Sequence, residues 1–393
     1  LVWIRWHECL DCHAQIRRMN LAIVGMGWVT PLGSDLDSVW EQLLQGEEAS
    51  ATTVSEEIAD RVYNVFRVPE SALKGLTHPR LRRASAISRF AAVAGLHALE
   101  SAGLKLDATN AERVGLIFAI SNGGVIYTKR FYHDIVNVGA QAASPLLFPE
   151  TVFNAPASHV AAILGVTGAS YTLVGDGAVG LVAIKMAEDL MHNEALDYCL
   201  VVGTEEIDWL LCDAYRRWRL LRLIPPIEPY GNHNRGMILS EGAGAVLVAR
   251  NGAFSIESAH PGGYFATRSQ AGHALERIVG DLARAEIDLV ISSANGTFID
   301  RAESRVLHEL IPNSLVYTAK PALGESVGAA GLWQVILAAQ ALSSAEIPPV
   351  LHADSTVPLR IARSRTPIPN ARRAIVLSCG LNQQAAGLRL AIR

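Results

Sequence analysis

The stretch Tyr171-Thr-Leu-Val-Gly-Asp-Gly-Ala-Val-Gly-Leu-Val-Ala-Ile-Lys-Met-Ala187 is the key to this chain. Tyr171 to Val174 predicts a short buried strand, and Gly175-Asp176-Gly177 a tight turn. From Ala178 onward the residues are apolar on nearly every side of a helix, which places that helix at the centre of the protein. Strand, glycine turn and buried helix together present one group at a helix N-terminus. A cysteine there would have its thiolate stabilised by the helix dipole and the free N–H groups. This turn offers Gly177, which has no side chain. The elbow is present and the nucleophile is absent.

Composition bounds the rest. The chain has 393 residues, enough for two domains or one large duplicated α/β unit. Half of them are hydrophobic and 18% are charged, so a large core can be buried. A net charge of −4 argues against a nucleic-acid partner or an anionic membrane surface. No apolar run reaches the roughly 20 residues of a membrane span. The five cysteines are scattered and odd in number, which suits a reducing cytoplasm rather than a disulfide framework.

Residues 1–18 differ in character from the remainder of the chain. They contain Cys9-Leu-Asp-Cys12-His13, formally a haem-attachment pattern, without a haem fold or distal ligand behind it. They are read as an N-terminal extension outside the fold, with Met19 as the natural beginning.

From Met19 the elements alternate. Leu21–Gly25 predicts a strand, Leu36–Gln45 a helix, Ala84–Ala102 a long helix and Val114–Ile120 a strand. Gly25-Met-Gly27 after a strand resembles a dinucleotide turn, but the third glycine is missing and Pro31 stands where a helix should start. Phe148–Pro156 is loop-like and leads into a helix at Ala157–Leu164. The basic run Tyr215–Arg222 reads as a solvated helix face, with an acidic carrier protein as its alternative use. Ala243–Ala249 and Ala253–Ala259 read as strands around an Asn251-Gly252 turn. Later, helices are expected at Ser269–Ala285, Arg301–Leu310 and Gly328–Leu342. Strands are expected at Leu289–Ser293, Leu315–Thr318, Arg373–Cys379 and Ala386–Ile392.

From Asn20 to the C-terminus this order of motifs resembles the β-ketoacyl-acyl carrier protein synthases of the thiolase fold. Leu21–Gly33 is similar to that family's first strand and turn, and Ser85–Phe90 to its first long helix. Leu200–Glu205 falls where the family ends a strand in Gly-Gly-x-Glu, and Ser240–Ala245 matches its Gly-Glu-Gly-Ala-Gly strand. The resemblance implies an α/β, thiolase-like, five-layered αβαβα fold with two pseudo-repeated halves, residues 19–255 and 256–393.

It also implies a catalytic cysteine and two histidines, and the matching positions lack all three. The cysteine position is Gly177. The first histidine falls at Ser293, or with a larger gap at Asn295, and the second at Glu325; Lys320 is retained. The gating loop is degenerate at Ser378–Gln384. Claisen condensation needs a nucleophile to hold the acyl chain and donors to stabilise the enolate and oxyanion. Asp176, beside the missing cysteine, is read as a structural anion at a helix start.

A degenerate synthase that keeps its scaffold resembles the chain-length factor, or β subunit, of type II polyketide and aryl polyene systems. The resemblance implies a cytoplasmic heterodimer with an active ketosynthase. No cofactor is expected to be bound, and the phosphopantetheine arm of an acyl carrier protein would deliver the chain. It places the dimer contact and tunnel lining at Phe148, Thr151, Phe153, Asn154 and His159, and on the edge strand Tyr171, Thr172, Leu173 and Val174. Two rivals stay open. One is an enzyme using Asp176, Glu325 or Lys320 for other acyl chemistry; the other is a homodimeric acyl-binding module.

Overall fold

In the computed structural model, residues 21–56, 61–74, 76–82, 84–193, 195–231 and 235–393 are described; Cys9, Cys12 and His13 lie outside them. The layering arises from strands that are apolar on both faces. Val114–Ile120 is buried throughout, with Ile117 and Ala119 in one core and Leu116, Phe118 and Ile120 in another. Tyr198–Glu205 divides in the same way, Cys199 and Val201 against Leu200 and Val202. In the second half, Arg373–Cys379 sends Ala374 and Val376 to the shared core and Ile375 and Leu377 to a third one. Side chains alternate along a strand, so an unbroken apolar run requires a packed layer on each side.

Those layers are helices. Val179–Asn193 and Ala330–Ser344 fill the shared core between the two sheet halves. Ala86–Ser101 and Ala155–Leu164 cover the outside of the first half. Ala271–Leu282 and Phe298–Leu310 cover the outside of the second. The result is the expected αβαβα stack. The central helices approach closely because glycine faces glycine: a Cβ on Gly180 would stand 3.4 Å from the Cα of Gly331.

The two sheet halves are continuous in hydrogen bonding. The order runs Arg360–Ile361, Leu315–Tyr317, Leu289–Ile291, Arg373–Cys379, Gln384–Ile392 and Phe254–Ala259. It then passes to Leu21–Val29, Gly242–Ala249, Tyr198–Glu205, Val114–Ile120 and Ser170–Val174. Phe254–Ala259 joins the halves, pairing with Gln384–Ile392 on one side and with Leu21–Ile23 on the other. The Asn251-Gly252 turn therefore does not close a hairpin. Leu21–Val29, longer than the expected Leu21–Gly25, lies between the strands that the turn connects. Burial of both neighbours against one apolar strand outweighs the local preference for a tight hairpin.

The basic run also folds differently from expectation. The helix is Trp209–Arg217 and covers only its beginning. Tyr215, Leu220, Leu221 and Arg222 are buried, while Arg216 to Arg219 face solvent. Among the described residues, no helix is long and apolar enough to cross a membrane.

Candidate functional site

The elbow forms as its sequence dictates. Ser170–Val174 runs parallel to Val114–Ile120, and the chain turns as Gly175 N–H donates to the Ile120 carbonyl at 3.0 Å. Val179 N–H then donates to the Asp176 carbonyl at 2.8 Å and starts the central helix. Gly177 is buried, and its carbonyl accepts from Ser378 Oγ at 2.7 Å. A Cβ on Gly177 would stand 3.3 Å from Gly380 Cα and 3.8 Å from the Cys379 carbonyl. Displacements of a few tenths of an ångström would admit a small side chain at Gly177.

Asp176 does more than mark a helix start. Its Oδ1 accepts from Leu381 N–H at 3.2 Å and its Oδ2 from Asn382 N–H at 2.6 Å. The Gly177 N–H also supports the carboxylate. Burial pushes the carboxyl up to about 6, against the pull of these donors toward the ionised form.

The two positions offered for the first histidine separate clearly. Ser293 Oγ donates to the Glu303 carboxylate and accepts from Cys379 N–H at 2.9 Å. Asn295 instead faces Glu325, its Nδ2 donating to Oε2 at 2.7 Å. Thr297 Oγ1 donates to Asn295 Oδ1 at 2.7 Å, which fixes which end of the amide points at the carboxylate. Lys320 Nζ donates to the other Glu325 oxygen at 2.6 Å. Lys320, Glu325 and Asn295 are all buried, so the carboxylate has both oxygens satisfied by groups within the chain.

The remaining predicted residues lie on the strand Ser170–Val174 and on the segment from Phe148 to Leu164. Ser170–Val174 ends the sheet path, and it is not buried as its sequence suggested: Tyr171 is 42% and Val174 55% exposed. Thr172 and Leu173 are half-buried between them. Phe148 and Phe153 are exposed too, and the helix Val125–Val138 adds Tyr132, Val136 and Val138 without burying any residue. Thr151 Oγ1 donates to the Phe148 carbonyl, and Asn154 precedes the helix Ala155–Leu164 without capping it through its side chain. His159 Nε2 pairs with Glu150 Oε1 at 2.6 Å.

Sequence reasoning did not single out Asn122 or Glu206. Glu205 ends the buried strand Tyr198–Glu205 and Glu206 follows it, and Glu205 Oε2 accepts from the Asn122 N–H and Nδ2 at 3.3 and 3.2 Å. Burial pushes Glu205 up to about 8 and Glu206 up to about 7. Two adjacent acids at the end of an apolar run were the available signal. A cavity of about 400 Å³ also lies beside the gating-loop position, walled by Trp218, Phe265, Thr267, Arg268, Leu381 and Gln383 among others. Arg268 stacks over the Phe298 ring at 5.3 Å and donates to the Trp218 carbonyl at 2.7 Å. Among the described residues, no group of histidine, cysteine and carboxylate side chains is placed to hold a metal ion.

Comparison with known proteins gives a consistent outcome. The family described as Beta-ketoacyl synthase, N-terminal domain, matches residues 19–253, and the corresponding C-terminal domain matches residues 247–354. Nodulation protein E of Rhizobium leguminosarum bv. trifolii is 25% identical over 236 residues, which is 58% of this chain and 57% of that protein. The chain thus spans little more than half the length of that relative in the aligned part. The ishigamide ketosynthase/chain length factor superposes with a TM-score of 0.84 at 18% identity, covering 96% of this chain and 100% of that one. A type II polyketide synthase ketosynthase, solved in complex with its acyl-carrier protein and bound to the hexaketide, superposes with a TM-score of 0.81 at 14% identity. That match covers 96% of this chain and 100% of its counterpart. At these identities the two structures establish the fold.

Proposed function

This chain belongs to the β-ketoacyl synthase family, and we propose that within it the chain is a non-catalytic, chain-length-factor-like subunit. It pairs with an active ketosynthase and shapes the tunnel that holds a growing polyketide or aryl polyene chain. The observation that carries this reading is the state of the elbow and its surroundings. Gly177 has no nucleophile, Asn295 occupies the place facing Glu325, and Glu325 is neutralised by Lys320. Such a cluster holds no acyl group and offers no imidazole to a thioester carbonyl. The scaffold around it remains intact, which favours a retained structural role over decay.

The exposed edge strand Ser170–Val174 and the neighbouring aromatic surface support a partner on that side, since a bare apolar edge invites pairing. The carrier protein's phosphopantetheine arm then serves the partner's cysteine and not this chain. A catalytic use of Asp176, Glu325 or Lys320 is disfavoured because each is already engaged by groups of the same chain. The test is co-expression with an intact ketosynthase and its carrier protein from the same gene neighbourhood, then mass spectrometry of the purified complex. A stable one-to-one complex that makes product, with this chain inert alone, is the expected result. A monomer in the presence of that ketosynthase, or turnover of malonyl-carrier protein by this chain alone, overturns the reading.

A further inference from the structure

We propose that the elbow contains a backbone anion-binding nest that is filled by the chain's own Asp176, and that this carboxylate latches the loop Gly380–Gln383 against the vacant nucleophile position. The N–H groups of Leu381 and Asn382 converge on the two carboxylate oxygens at 3.2 and 2.6 Å, with the Gly177 N–H beside them. Successive N–H groups aimed at one point make a fixed positive site for an oxyanion or a carboxylate. Here that point is occupied from within.

Three further features tie the loop to this contact. Ser378 Oγ donates to the Gly177 carbonyl at 2.7 Å, and Gly380 N–H donates to the Gln384 carbonyl at 2.6 Å. Gly380 lies directly against the carboxylate: a Cβ there would fall 1.7 Å from Asp176 Oδ1. The loop also lines the cavity of about 400 Å³, whose wall includes Leu381, Asn382 and Gln383. With the latch shut, an anion reaching the elbow meets occupied donors. The nest therefore has a chemical preference, for a carboxylate or an oxyanion, that it expresses only when Asp176 is removed. The inference rests on reading the elbow as a vacated nucleophile site, but it concerns this chain alone and needs no partner.

Hydrogen exchange read by mass spectrometry on the full chain tests it. In Asp176→Ala the Leu381 and Asn382 amides should exchange about tenfold faster or more, the size expected for a lost charge-assisted hydrogen bond. Added acetate should slow that exchange in a dose-dependent way, while chloride at equal ionic strength should not. Gly380→Ala, which displaces the carboxylate from the other side, should open the same amides. Asp176→Asn, of unchanged volume, should give intermediate protection and serves if the alanine variant does not fold. Wild-type protection in Asp176→Ala, or an acetate response no larger than that of chloride, overturns the proposal. Neither result depends on whether a ketosynthase partner binds, so failure here is distinct from failure of the subunit reading.

Discussion

Lys320 Nζ and Glu325 Oε1 are 2.6 Å apart in the interior of the protein, and each is nearly inaccessible to solvent. Neither charge is tolerable there alone, because desolvation of a lone ion costs several kcal/mol. Lys320→Met should therefore destabilise the fold by about 3–5 kcal/mol by stranding Glu325. The double variant Lys320→Met/Glu325→Gln should recover much of that loss. Urea denaturation of the four members of the cycle measures the coupling, and additive losses would show that the pair is not a unit.

Restoring the missing thiol should not restore the reaction. Gly177→Cys has room for its Cβ with a small shift of Gly380, so the variant should fold with a modest change in melting temperature. Its thiol should accept an alkylating reagent or an acyl group. Condensation with malonyl-carrier protein should stay at background, because the positions that the resemblance assigns to the polarising imidazoles, Ser293 or Asn295 and Glu325, hold no histidine. Product analysis by mass spectrometry checks this, and substantial turnover would show that the lost histidines are dispensable here.

Buried acids make stability depend on pH in an unusual direction. Glu205, Glu206 and Asp300 are pushed up to about 8, 7 and 7, with burial the main cause in each. Between roughly pH 4.5 and 8 the folded chain retains protons that the unfolded chain, with ordinary carboxyl values, has released. These groups therefore contribute most in acid, and stability from them falls as pH rises, levelling above about 8. Thermal melts from about pH 5.5 to 8.5 should show decreasing melting temperature, and Glu205→Gln should flatten the slope. A melting temperature that rises across this range would contradict the assignment.

The edge strand should carry the assembly. Val174→Arg places a charge on an exposed position of Ser170–Val174 and should abolish association with a partner while leaving the monomer folded. Light scattering and circular dichroism separate the two effects. An obligate interface here should bury more than about 2,000 Å². If the complex survives this substitution, the interface lies elsewhere.

Phe153 packs over Gly123, where a Cβ would meet its ring at 2.7 Å, and yet remains partly exposed toward the surface proposed as the interface. Phe153→Ala should enlarge the tunnel of the assembled complex and lengthen the product without stopping synthesis. Mass spectrometry of the product reads the length directly. Unchanged length here and in the variants of neighbouring interface residues would remove the tunnel role.

The layers and the glycine elbow are legible in the order of residues alone. Doubly apolar strands such as Val114–Ile120 demand a helical layer on each face, and an apolar helix after Val174 must lie inside. Gly177 and Glu325 are read as departures from the resembled family because their flanking motifs suggest the register. What the surrounding residues do is settled in three dimensions. Asn295 and Ser293 are two positions apart, and the spacing does not say which faces Glu325; the turn at Asn295–Thr297 does. Asp176 meets Leu381 and Asn382 across more than two hundred residues, a contact with no local signature. The Asn251-Gly252 turn favours a hairpin locally, and Leu21–Val29 lies between its strands because long-range pairing buries more apolar surface. Pattern along the chain fixes which faces are apolar; which distant groups share a buried point depends on packing.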